Sequence, residues 1–192
     1  MTNVSVVQLN CSDHSEKISA VKTLIVVYSL TGNNDTLAGY LKSRIACDLS
    51  RLQTIRKSNG FSIFLDVLFN RRPSLKAIEH DIRRYDHVIF MAPIWAGKIA
   101  NPLNSFLLRN ASGINNYSFV TVCGGGNSSQ KDKVSMQLAA IVGRAPVNVL
   151  ELWTKKVVDV RGAVGKTTAS LRIKMNDLNL FNKELDGFVD KF

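Results

Sequence analysis

Three aliphatic runs constrain this chain more than any other feature. "TLIVVY" (Thr23 to Tyr28), "HVIFMA" (His87 to Ala92) and "SFVTVC" (Ser118 to Cys123) have strand length and hardly alternate between apolar and polar residues. A strand with one wet face alternates, whereas these runs ask for burial on both faces. A further strand is read at "VNVLELW" (Val147 to Trp153), and "LSRLQTI" (Leu49 to Ile55) alternates as a shorter edge strand does. Amphipathic segments separate the runs. "DTLAGYLKSRIA" puts Leu37, Tyr40, Leu41 and Ile45 at helical spacing, and "NDLNLFNKELDGFVDKF" spaces Leu178, Phe181, Leu185 and Phe188 as a terminal helix. "PIWAGKIANPLNSFLLRN" and "GGGNSSQKDKVSMQLAAIVG" each read as a loop leading into a helix, and a basic, Gly-containing linker joins "VNVLELW" to the terminal helix. Strands alternating with helices give a doubly wound α/β sandwich, a parallel sheet of about five strands covered on both faces.

With 192 residues, the chain is read as one domain over 21–192, preceded by an extension over 1–20 in which "VSVVQL" is a candidate edge strand. The segment around "GFSIFLDVLFNRRPSLKAIEHDI" holds one helix or two, with Pro73 as punctuation. No stretch approaches the roughly 20 apolar residues of a membrane helix, and the start lacks the pattern of a signal peptide. Three widely spaced cysteines, Cys11, Cys47 and Cys123, suggest a reducing, cytoplasmic setting without a disulfide framework, and no metal-ligand spacing occurs. The net charge of +10 is read as a basic surface serving solubility, with an anionic partner as the alternative. Nucleic-acid binding is set aside as the main role, because the basic residues are scattered and lack interleaved aromatics.

In a doubly wound sheet the ligand lies beyond the carboxyl ends of the strands, where strand order reverses. Three runs end there in loops richer in small and polar residues than a turn needs: Ser29 to Asn34, Pro93 to Gly97, and Cys123 to Asn127. The first leads into a helix, so its N–H groups and the hydroxyls of Ser29 and Thr31 can hold an anion. Without Lys or Arg there, a monophosphate suits it better than a magnesium triphosphate. The plainer alternative is a turn capped by Asn34 or Asp35. Trp95 in the second loop is suited to covering a flat ring, or else it folds back on the core. "CGGGN" can bring bare backbone close to a ligand, or serve as a flexible connection. "GAVGKTT" is not a P-loop, since the required first Gly falls on Val160.

On these loops the chain resembles the flavodoxin-like family, from about Thr23 to Phe192. "SLTGNND" resembles its phosphate loop, "PIWAGKIANPLNSFL" the loop and helix beside the flavin ring, and "VCGGGN" the Gly-rich loop after the next strand. The resemblance implies strand order 2-1-3-4-5 and FMN as cofactor, with FAD the alternative. It implies phosphate contacts from Ser29, Thr31, Gly32, Asn33 and Asn34, ring contacts from Pro93, Ile94, Trp95, Ala96 and Gly97, and ring or ribityl contacts from Gly124, Gly125 and Gly126. Asn34 stands where Thr is commoner in the family, and an amide can still donate.

The implied function is an oxidoreductase passing electrons from a reduced nicotinamide through FMN to a quinone or similar acceptor. A non-enzymatic electron carrier docking on a redox protein, and a flavin-free interaction protein, are the alternatives. Carriers of this family tend to be acidic, so the charge favours the enzyme. No catalytic acid or base is assigned. "GFSIFLDVLF" is apolar enough for a homodimer interface and is equally explained as core.

Overall fold

In the computed structural model of the chain, residues 21–55, 71–124, 129–162 and 170–192 are described. The aliphatic runs become β1 (Thr23–Val27), β3 (His87–Met91) and β6 (Asn116–Cys123), with β2 (Cys47–Arg51) and β7 (Asn148–Trp153) outside them. All four pairings are parallel, and the sheet order is β2-β1-β3-β6-β7. This is the expected 2-1-3-4-5 once a small hairpin, β4 (Ile94–Trp95) with β5 (Lys98–Ile99), is left out of the count.

The lack of alternation in the runs has its reason in two cores. Leu24, Val26, Val88, Phe90 and Phe119 face one core, which is closed by α2 (Asn101–Asn110) and α3 (Gln130–Val142) through Leu103, Phe106, Leu107, Val134 and Leu138. Ile25, Val27, Ile89, Met91, Val120 and Val122 face the other. There α1 (Asn33–Arg44) contributes Leu37, Ala38 and Leu41, and α4 (Thr154–Arg161) contributes Val157. The C-terminal segment adds Leu178, Phe181, Leu185 and Phe188. Successive residues of one strand thus serve opposite cores, and both must be apolar.

Four expectations are corrected. The second strand starts and ends earlier than Leu49 to Ile55, because Leu52 leaves the ladder while its N–H still donates to the Val27 carbonyl at 2.8 Å. The terminal helix is a 3-10 segment, Met175–Phe181, followed by α5 (Asn182–Val189), although its four spaced apolar residues are buried as expected. The basic linker begins as helix α4, whose charged residues hide the short buried stripe of Thr154 and Val157. The residues after Pro93 form a hairpin before the helix begins. The candidate strand in 1–20, all of "GFSIFLDVLF" and most of "GAVGKTT" lie outside the described residues. No helix among the described residues is long and apolar enough to cross a membrane.

Candidate functional site

The chain leaves β1 through Tyr28, whose N–H donates to the Met91 carbonyl at 2.8 Å, and turns at Gly32 into α1. Gly32 has φ +88°, in the left-handed region, where a side chain would be strained. Gly32 is the N-cap, so neither Asn34 nor Asp35 caps this helix, and no side-chain hydrogen bond closes its N-terminus. The first intrahelical donor is the Thr36 N–H, bonded to the Gly32 carbonyl at 2.9 Å. The N–H groups of Asn33, Asn34 and Asp35 therefore have no partner in the helix, and the positive end of the helix dipole lies behind them. Ser29 Oγ, at the start of the same loop, is buried without a hydrogen-bond partner. Asp35 would repel an anion here, but Arg51 Nε holds its carboxylate at 3.0 Å.

The side chains of the two asparagines are engaged elsewhere. Asn33 spans two residues of the segment after α4: Nδ2 donates to the Leu171 carbonyl at 3.1 Å, and Oδ1 accepts from the Ile173 N–H at 3.0 Å. Asn34 Oδ1 accepts from the Val122 N–H, near the end of β6, at 2.9 Å. Both residues are only 2% exposed. They stitch the loop to the rest of the rim, and what they offer an anion is backbone N–H.

The second loop is the hairpin. Ala96 has φ +48° and Gly97 φ +76°, so both central residues are left-handed, as a tight type I′ connection requires. Trp95 packs on the core edge-on to Tyr28, with ring centroids 6.0 Å apart, as the plainer reading expects, and it also lines the cavity. The hairpin is anchored by the Ala100 N–H to the Pro93 carbonyl at 3.0 Å and by the Ile99 N–H to Gln137 Oε1 of α3 at 3.1 Å.

Together the loops enclose a cavity of about 380 Å³, within the range of small-molecule sites. Its walls include Thr31, Asn33 and Asn34 from the first loop, Pro93, Ile94, Trp95, Ala96 and Gly97 from the second, and Gly124 from the third. Gly32 supplies the turn beside it and Ser29 lies at the loop's start, neither forming part of its wall; Gly125 and Gly126 lie outside the described residues. Four lining residues were not foreseen: Leu30, Val122, Cys123 and Gln130. Leu30, Val122 and Cys123 adjoin the expected positions. Gln130 carries no sequence signal beyond its place at the start of a helix. No lining residue among those described carries a formal charge.

The cavity sits beyond β1 and β3, between which the strand order reverses, since β2 lies on one side of β1 and all later sheet strands on the other. His87 is remote from it, being the first residue of β3 and so at the opposite end of the sheet. Its Nε2 lies 3.0 Å from Ser118 Oγ, its ring stands edge-on to Phe192, and burial pushes its pKa below the ordinary 6.5. An orphaned hydroxyl beside uncapped helical N–H groups fits a phosphate, and an uncharged wall containing a tryptophan and bare backbone fits an aromatic ring.

No family model matches the chain, and no curated protein does. Solved structures do. A flavoprotein from Lactobacillus acidophilus NCFM, solved in complex with FMN, superposes with a TM-score of 0.60 at 19% identity, over 73% of this chain and 98% of that one. A candidate flavoprotein from Bacteroides eggerthii DSM 20697 gives 0.57 at 17% identity, over 86% of this chain and 98% of that one. Another from Bacteroides uniformis ATCC 8492 gives 0.56 at 17% identity, over 75% and 99%. Identities this low establish architecture and not activity. With five parallel strands in the order 2-1-3-4-5 and a cavity at the switch point, the chain has a flavodoxin-like fold.

Proposed function

We propose that the chain binds FMN at the carboxyl rim of its sheet and acts as an oxidoreductase, passing electrons from a reduced nicotinamide to a quinone or similar small acceptor. One observation carries the reading: the loops after β1, β3 and β6 wall a single uncharged cavity beside an uncapped helix N-terminus. The FMN bound by the Lactobacillus acidophilus flavoprotein supports the choice of ligand.

In this reading the backbone N–H groups of Thr31, Gly32, Asn33 and Asn34, with the hydroxyls of Ser29 and Thr31, hold the phosphate. Neutral donors and the helix dipole suffice for a monophosphate, and FAD would need room for an adenylate as well. Pro93, Ile94, Trp95, Ala96 and Gly97 flank the ring. Gly124, Gly125 and Gly126 approach it or the ribityl chain as bare backbone. When bound, FMN supplies the hydride and electron chemistry. The chain's residues orient the ring and keep water from it. Cys123 is the one lining side chain that can ionise among the described residues, so no catalytic acid or base is assigned.

A carrier role is the second reading, and the charge of +10 then asks for an acidic partner. The test is steady-state oxidation of NADH or NADPH by the FMN-loaded protein with a quinone acceptor. Sustained turnover is expected. Failure to oxidise either nicotinamide with any acceptor would sink the oxidoreductase reading and leave the carrier.

A further inference from the structure

One side chain of the cavity wall is held by hydrogen bonds that the packing of its helix does not require. Gln130 is the first residue of α3. Its Nε2 donates to Glu151 Oε1 at 3.1 Å and lies 3.7 Å from Cys123 Sγ. The other carboxylate oxygen, Glu151 Oε2, accepts from Trp153 Nε1 at 3.1 Å. A carboxamide has two N–H donors on one atom and only acceptor capacity on the other. Both donors of Gln130 meet acceptors of the protein, so a flipped amide would set Oε1 against the Glu151 carboxylate. The amide is therefore fixed, and Oε1 has no partner among the described residues.

A fixed acceptor in an otherwise uncharged wall selects a ligand that brings a donor. It cannot serve a phosphate, which brings acceptors. Its position favours the ring: Gln137, which holds the hairpin carrying Trp95, follows Gln130 by seven residues and so lies on the same face of α3. We infer that Gln130 is a specificity-determining residue of the site, its Oε1 accepting from the one N–H of the flavin's pyrimidine edge, with Glu151 and Trp153 as positioning residues. The inference rests on the FMN reading above.

The test compares dissociation constants for FMN and for FMN methylated at that ring nitrogen. The wild-type protein is expected to prefer FMN. Gln130→Leu should weaken FMN about three- to tenfold, the worth of one hydrogen bond, and leave the methylated analogue nearly unchanged. Gln130→Glu sets two carboxylates together and should lose FMN affinity, and adding Glu151→Gln should restore it by exchanging donor and acceptor. This double variant separates the role from simple loss of folding. An unchanged preference in Gln130→Leu would overturn the inference. So would equal losses for both ligands, which would place Gln130 on the ribityl hydroxyls. Failure of the wild-type protein to bind FMN at all would instead remove the FMN reading itself.

Discussion

Asn33 and Asn34 look alike in the sequence, as two amides in a polar loop, yet each holds a different part of the molecule. Asn34 accepts from the buried Val122 N–H, so Asn34→Ala leaves that donor unpaired at a cost of about 1–3 kcal/mol. Urea unfolding of the flavin-free protein should register the loss. Thr31 makes no such tie among the described residues. Thr31→Glu should leave stability within about 0.5 kcal/mol, while charge repulsion abolishes FMN binding. Equal stability losses in the two variants would mean that the loop's roles are misassigned. His87 gives a separate, pH-dependent signal. Burial holds its folded pKa below the unfolded 6.5, so the unfolded chain binds more protons between those two values. Its contribution therefore holds above pH 6.5 and is lost as pH falls below it, until the folded pKa is passed. His87→Gln should flatten the stability slope on that acid side. An unchanged slope would show that other groups set it.

At the scale of elements, the sequence was most legible where one physical requirement dominated. Burial on both sheet faces made the three aliphatic runs plain, and small residues at strand ends marked the rim. Less was legible where tertiary contacts decided. Leu49 to Ile55 mixes apolar and polar residues to its end, but pairing with β1 stops at Arg51. The Thr154–Arg161 helix turns only a short stripe inward, so its charges dominated the reading. Phe181 closes a 3-10 turn and opens α5, a change of winding that spaced apolar residues do not encode. The hairpin was hidden by Ala96, since alanine rarely takes a left-handed φ. Asn33 reads as a loop residue in the sequence but is the first residue of α1, and no sequence signal tells that its amide bridges Leu171 and Ile173. The hairpin gives its own prediction. Gly97→Val puts a β-branched residue at φ +76°, costing on the order of 1–2 kcal/mol, and should weaken FMN binding with it. Ala96→Gly relieves a similar strain but loosens the unfolded chain, so it should be close to neutral. Thermal unfolding and flavin titration of both variants check the pair.

For the whole molecule, the sheet is held by two cores, and the cavity lies where the rims of both meet. Asn33 and Asn34 tie the first loop to the segment after α4 and to β6, so a ligand held there should steady elements far apart in sequence. Saturation with FMN at about a hundred times its dissociation constant should stabilise the fold by about 2.7 kcal/mol, seen as a higher Tm. The most direct measurement is titration of the purified, flavin-free protein with FMN, followed by visible absorbance and flavin fluorescence, alongside FAD and the Thr31→Glu variant. The account predicts one FMN per chain, weaker uptake of FAD, and no uptake by the variant. A protein that takes up neither flavin, or a variant that binds FMN as the wild type does, would contradict it.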